Sequence, residues 1–262
     1  MRRMDRVNAV LENLKTWSKK VMRAVRLLEF SGTLRRDEER TTEGDENVPS
    51  ETRDPAVWNE ERAGFRRRRY ASYEDYLQHQ KGKLGQVDLS GYHVEFRNHL
   101  RKRIEVLEIT TRGDAVLCLG ARLGTECIAF KDLGCFAVGI DLNPGDQNLH
   151  VLHGDFHKLQ FPDGSVDHVF TNALDHVFEL DQVICEVKRV LRPSGFFIAE
   201  IVRGSRDVDG REPGAFESYW WGSVEEVVSL IGRHGFSVEQ RHRFSYPWQG
   251  DQIVFRYRAE AR

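Results

Sequence analysis

The sequence predicts an α/β fold with a largely parallel sheet, and three observations predict it. Short apolar runs of strand length, Asp114 to Leu119, Phe136 to Ile140 and Phe196 to Val202, alternate with segments of helical period. A glycine turn, Gly120-Ala121-Arg122-Leu123-Gly124, carries the first run into a helix. An acid, Asp141, ends the second run about twenty residues past that turn, the spacing of a nucleotide-binding βαβ unit.

From the N-terminus, residues 1–30 predict an amphipathic helix. Val7, Leu11, Leu14, Val21, Val25 and Leu28 recur at three- and four-residue steps or their multiples, with Lys15, Lys19, Lys20 and Arg23 facing away. Such a helix suits docking on its own domain, self-association with a second copy, or peripheral contact with an anionic membrane through its basic face and Trp17. Residues 31–70 are charged, poor in large apolar side chains and broken by Gly32, Gly44, Pro49 and Pro55, which predicts a flexible linker. Within it, the run Arg66 to Arg69 has acidic neighbours in Glu60, Glu61, Glu74 and Asp75, favouring a solvated face over a nucleic-acid patch.

The folded domain is expected over 71–262. Ser72 caps a short helix that carries Tyr73, Tyr76 and Leu77 and ends near Lys81-Gly82; Asp75 completes a variant capping box. A helix over His93 to Ile109 follows, with Val94, Leu100, Ile104 and Leu107 as its apolar stripe. After the βαβ unit, whose helix runs from Thr125 to Leu133, the third strand is Val151 to Phe156 and the fourth Asp167 to Asn172. A helix from Leu180 to Leu191 passes through Arg192-Pro193-Ser194-Gly195 into the fifth strand, ending at Val202. Ser223 with Glu226 opens a last helix to His234, and Gly235 sits where a C-cap belongs. Phe236 to Phe244 and Asp251 to Arg258 read as two strands. Between the fifth strand and that helix, Tyr219, Trp220 and Trp221 either wall a pocket or enter the core.

Each part of the βαβ unit has a physical task. The glycines let the backbone approach a nucleotide, the turn feeds a helix N-terminus, and the acid can accept both ribose hydroxyl protons. Arg122 stands where nicotinamide-binding turns place a central glycine, which disfavours a dinucleotide oxidoreductase.

The stretches VLCLGARLGTE, GIDLNP, GDFHKLQFPDGSVDHVFTNALDHV and EVKRVLRPSGFFIAE, in this order, resemble the class I S-adenosylmethionine (SAM)-dependent methyltransferases, especially their small-molecule subgroup. The resemblance implies a Rossmann-like, seven-stranded, mostly parallel sheet with helices on both faces. The implied strand order is 3-2-1-4-5-7-6, the final strand reversed. It implies SAM as cofactor and methyl transfer to a small polar acceptor such as a sugar or other metabolite hydroxyl.

Residue by residue, Gly120, Ala121 and Gly124 would form the turn beside the methionine part of SAM. Asp141 would hold the ribose and Leu142 pack on the adenine. Asp155 would accept from the adenine amino group, with Phe156 beside the ring. Asn172 and Ala173 would face the sulfonium and the acceptor. Two residues depart from the family pattern: Cys118 replaces an acid that bears on the cofactor's ammonium group, and Arg122 replaces the middle glycine. Glu126 is a candidate substitute for the acid, and Arg122 a candidate partner of the methionine carboxylate.

Methyl transfer from an activated donor needs alignment above all. A hydroxyl acceptor also benefits from a base, for which His176, oriented by Asp175, is the candidate. His153 and His157 flank Asp155, but strand and loop geometry points them apart, so no metal is expected.

Bulk properties narrow the remainder. A formal net charge of -2 gives no electrostatic case for nucleic acid, and the fourth strand ends in Asn172-Ala-Leu-Asp175 rather than an N/D-P-P-Y/F motif. Cys118, Cys127, Cys135 and Cys185 lie in apolar runs without C-x-x-C pairing, which predicts buried reduced thiols and a cytoplasmic protein. A second function class remains open, a SAM-fold protein that serves as a binding or scaffolding subunit, separable from an enzyme by SAM affinity.

Overall fold

Alternation along the first predicted strand sends side chains to two cores on opposite faces of one sheet. Val116 and Cys118 enter one core, Leu117 and Leu119 the other. The computed structural model describes residues 57–60, 64–83 and 92–257; the helix expected over 1–30 lies outside the described residues.

The elements in chain order are β1 (Trp58–Glu60), β2 (Arg66–Arg68), α1 (Tyr73–Lys81), α2 (Tyr92–Leu107), β3 (Ala115–Leu119), α3 (Thr125–Asp132), β4 (Phe136–Asp141), β5 (Val151–His153) and β6 (Val166–Thr171). They continue with a single 3-10 turn (Leu174–His176), α4 (Leu180–Val190), β7 (Leu191–Val202), β8 (Tyr219–Trp220), α5 (Val224–Arg233), β9 (Phe236–Phe244) and β10 (Gly250–Tyr257). The main sheet has seven strands in the order β5-β4-β3-β6-β7-β10-β9. Its first five strands pair in parallel, and β10 runs antiparallel to both neighbours. The expected order 3-2-1-4-5-7-6 is therefore the observed one.

Helices cover both faces because each buries one stripe. In α4, Leu180, Val183, Ile184, Val187 and Val190 are buried at three- and four-residue steps against the Leu117 face. In α2, Phe96, Leu100, Ile104 and Leu107 cover the Val116 face together with Cys127 and Phe130 of α3. The Glu226 carboxylate accepts from the Ser223 and Gly222 amides at 3.1 and 2.8 Å, as the capping-box spacing predicts.

The approach of α3 to the sheet depends on Gly139. A Cβ there would stand 2.5 Å from Ala121 Cβ and 2.9 Å from Cys127 Sγ. Gly139→Ala is expected to lower stability by about 1–3 kcal/mol, because both neighbours are buried and neither can swing away. Urea unfolding checks this; an unchanged midpoint would mean that the helix can shift at no cost.

Three expectations are corrected. Residues 58–60 and 66–68, inside the segment expected as linker, are strands of a second sheet, β1-β2-β8. Consequently the arginine run is not a uniformly solvated face. Arg68 is buried; its Nε donates to Glu217 O at 2.8 Å and its guanidinium also reaches Gly214 O at 3.0 Å. Arg66 pairs with Glu212 at 2.7 Å, and Arg67 pairs with Glu179. Cys118, Cys127 and Cys135 are buried, but Cys185 is exposed because it lies on the outer side of α4. Of the two alternatives left open for Tyr219, Trp220 and Trp221, the structure shows the core. The two indoles stack with centroids 5.6 Å apart, and their N–H groups donate to Ser205 Oγ and Val202 O at 2.8 and 2.9 Å. Among the described residues no helix is long and apolar enough to cross a membrane.

Candidate active site

The carboxyl ends of β3, β4 and β6 meet at one cavity of about 230 Å³, where open parallel sheets place their ligands. The glycine turn forms one wall. Gly120 has φ +66° and its missing Cβ would lie 2.7 Å from Ala173 Cβ, so the turn both needs glycine and presses on the end of β6. The Thr171 hydroxyl donates to Leu119 O and accepts from Ala173 N, each at 3.1 Å, locking those two strand ends together. Arg122 adopts φ +47°, a conformation that costs a non-glycine residue on the order of 1 kcal/mol.

That strain accompanies a useful contact. Arg122 N donates to Asp141 Oδ2 at 2.9 Å, and Asn143 N donates to Asp141 Oδ1 at 2.8 Å. The acid at the tip of β4 is thus held rigidly against the turn, with lone pairs left for a ligand. Asn143 Nδ2 donates in turn to Lys81 O at 2.8 Å, tying the end of α1 to the same corner.

Most of the expected residues converge. Gly120, Ala121 and Arg122 line the cavity with Asp141 and Leu142. Phe156 lines it from the loop after β5, and Asn172 and Ala173 from the end of β6. Asp175 and His176, on the 3-10 turn that follows, line its far side. Gly124 shapes the turn without reaching the cavity. Asp155 also stands outside the lining: Tyr73 OH donates to its Oδ2 at 2.5 Å, and His157 Nδ1 and N reach its Oδ1 at 2.8 and 2.9 Å. Burial would raise the Asp155 carboxyl, but the bonds from His157 and Tyr73 hold it below its ordinary value. The other nitrogen of His157 accepts from Phe178 N at 3.0 Å, so this histidine braces two loops. Among the described residues no cluster of histidines, cysteines and acids is arranged to hold a metal ion.

Cys118 is buried beneath the sheet's other face and absent from the cavity; Glu126 is present. It projects from the first turn of α3, 7% exposed, and accepts from Asn172 Nδ2 at 3.2 Å. Burial pushes its carboxyl up to about 7, against the pull of Arg122 and Asn172. The glycine cradle, the fixed acid at Asp141, the ring of Phe156 and this buried acid fit an adenosine bearing an amino-acid tail.

Beyond Asn172 lies a polar cluster that the sequence did not single out. Lys83, just past α1, joins His176 through a 2.6 Å contact between Nζ and Nε2. Arg211 and Glu217, from the loop between β7 and β8, pair at 2.8 Å, and Arg211 stands 3.7 Å from Asp175. Burial would raise Glu217, but His176, Arg211 and Lys83 hold it at about 2. Arg68 fixes this loop from below through its bond to Glu217 O. No motif marks Lys83, Arg211 or Glu217, since chain segments far apart in sequence bring them together.

A seven-stranded sheet of this order, with a glycine turn facing an acid across the first two strand ends, is the architecture of the class I SAM-dependent methyltransferases. Residues 117–199 match the family model of the methyltransferase domain. A Mycolicibacterium gilvum protein described as an uncharacterized methyltransferase is 30% identical over 137 residues, covering 48% of this chain. The chain spans about half, 53%, of that relative's length. Among solved structures, the Burkholderia thailandensis 1,6-didemethyltoxoflavin-N1-methyltransferase with bound S-adenosylhomocysteine superposes with a TM-score of 0.58 at 15% identity, over 77% of this chain and 99% of its own. A Pyrococcus horikoshii protein gives 0.50 at 23% identity, over 63% and 91%.

Proposed function

We propose that the protein transfers a methyl group from SAM to a small polar acceptor bearing a hydroxyl group. One observation carries this reading: a single cavity runs from Gly120 and Asp141, past Asn172 and Ala173, to the polar cluster of Lys83, Asp175, His176, Arg211 and Glu217. The first part has the features that hold SAM, and the second is a place for an acceptor.

Bound SAM supplies an activated methyl group; this chain's residues bind and orient. Asp141 would take the ribose hydroxyls and Phe156 would pack on the adenine. Glu126, steadied by Asn172, would take the ammonium group, and the guanidinium of Arg122 the carboxylate. The acceptor cluster sets two basic side chains, Lys83 and Arg211, against the carboxylates of Asp175 and Glu217 around the His176 imidazole, so it suits an uncharged polyhydroxylated molecule better than a strong anion. The protein's free cysteines fit a reducing cytoplasmic setting.

The experiment is methyl transfer from SAM carrying a radiolabelled methyl group to a panel of sugars and small phenols, beside calorimetric titration of S-adenosylhomocysteine. Binding in the micromolar range with labelled product from a hydroxyl compound is expected. Folded protein that binds no S-adenosylhomocysteine would overturn the reading in favour of a scaffolding subunit.

A further inference from the structure

Sequence reasoning makes His176 the candidate base, but both of its nitrogens are occupied. Nδ1 lies 2.9 Å from Phe216 O, a carbonyl that can only accept, so this nitrogen carries the proton. Nε2 is then the acceptor, and Lys83 Nζ donates to it at 2.6 Å. The imidazole has no free lone pair to offer a substrate. Lys83, by contrast, lines the cavity; among the described residues its nitrogen hydrogen-bonds to His176 and faces the Phe216 ring at 5.7 Å, leaving donor positions to spare. Among the described residues nothing else bonds to this nitrogen, which lines the cavity where a ligand would lie.

We propose, on the methyltransferase reading above, that Lys83 is the group that takes the acceptor's proton, and that His176 is a positioning residue that aims it. In the step, the acceptor's O–H bond breaks and the proton goes to the lone pair of uncharged Lys83. The oxygen's electron pair forms the new bond to the methyl carbon. The sulfur–carbon bond breaks with its pair remaining on sulfur, leaving a neutral thioether. Lys83 then holds the proton as an ammonium bonded to His176 Nε2, and loses it to solvent before the next turnover.

The surroundings make this possible near neutrality. Burial and the Arg122 guanidinium pull Lys83 down to about 8, against Asp175, Glu217 and Asp141, which favour its charged form. The remaining polar groups near the cluster are Arg211, paired to Glu217, and His79 and Tyr76 on α1. His176 is itself held below its ordinary value by burial, with Asp175 opposing and Lys83 reinforcing. It therefore remains an acceptor for Lys83 across the working range instead of becoming a competing cation.

The test follows the side-chain nitrogens of the full-length protein by ¹⁵N NMR between pH 6 and 10, with and without S-adenosylhomocysteine. His176 is expected to keep its Nδ1–H tautomer, and its Nε2 signal to move with a midpoint near pH 8. That step should vanish in Lys83→Met and in Lys83→Arg, whose guanidinium does not titrate there. With a hydroxyl acceptor, kcat should rise through the same midpoint and fall by about 100-fold in Lys83→Met, with KM for SAM unchanged. In His176→Gln the loss should be smaller, about tenfold. A Lys83-independent step at Nε2, or a loss below threefold in Lys83→Met, would overturn the assignment. Absence of S-adenosylhomocysteine binding alone would instead sink the methyltransferase reading, because the Nε2 step is read without it.

Discussion

Replacing Asp141 with alanine is expected to weaken S-adenosylhomocysteine binding by about 100-fold or more. On the proposed binding mode, two charge-assisted hydrogen bonds to the ribose diol, each contributing about 1.5 kcal/mol or more, would be lost together, and about 1.4 kcal/mol is a factor of ten. The effect extends beyond the ligand, because the same carboxylate accepts from Arg122 N and Asn143 N. Without it nothing compensates the left-handed backbone of Arg122, and the turn relaxes. Asp141→Asn separates the two contributions. It retains one carbonyl oxygen, so a loss of about tenfold is expected. Calorimetry measures both, with circular dichroism to show that the fold persists. An affinity within threefold of the parent in Asp141→Ala would remove this acid from the binding site.

Glu126→Gln is expected to move stability and binding in opposite directions. The folded protein holds this carboxyl up to about 7, above its ordinary value of 4.5, because burial disfavours the charge. A group whose native pKa is raised in this way is protonated in the fold while already ionised in the unfolded chain. Stability therefore falls as pH rises from about 4.5 to about 7 and stays low above that. Glutamine carries no such cost, so at pH 8 the variant should be more stable by about 2 kcal/mol, using roughly 1.4 kcal/mol for each pKa unit and allowing for relaxation. At the same pH it should bind S-adenosylhomocysteine about tenfold more weakly, having lost the charge that is proposed to meet the ammonium group. In the parent, affinity should strengthen between pH 6 and 8; in the variant that rise should be shallower. Denaturant midpoints at pH 5 and pH 8 give the stability arm. A variant equally stable at both pH values relative to the parent would show that Glu126 ionises freely in the fold.

What the sequence reveals follows from how local each signal is. The βαβ unit, the capped helices and the seven strands of the main sheet are legible because periodicity, turn chemistry and end signals lie within a few residues of one another. Asp141, Asn172 and Ala173 are legible for the same reason, since each sits at the end of a readable strand. Strands β1 and β2 are not. Each is three residues long, β2 is all arginine, and β2 gains its second partner only far along the chain at Tyr219–Trp220. Lys83, Arg211 and Glu217 are hidden in a related way, as polar residues in irregular segments whose convergence is a product of topology. Asp155 shows the reverse problem. Its place in the chain suggests a ligand contact, yet Tyr73 and His157 have claimed both of its oxygens.

If the Lys83–Glu217 cluster selects the acceptor as proposed, the small β1-β2-β8 sheet ties that choice to two stretches of sequence that would have to be exchanged as a pair. Transplanting residues 203–222 into a relative would deliver Arg211 and Glu217 without the Arg68 side chain that holds the backbone of Gly214 and Glu217. Transplanting 57–83 alone would bring Lys83 without its electrostatic counterparts. Any chimera intended to inherit this protein's preference for an acceptor must carry both, and in natural descendants substitutions at Arg68 and in the 214–218 loop should change together.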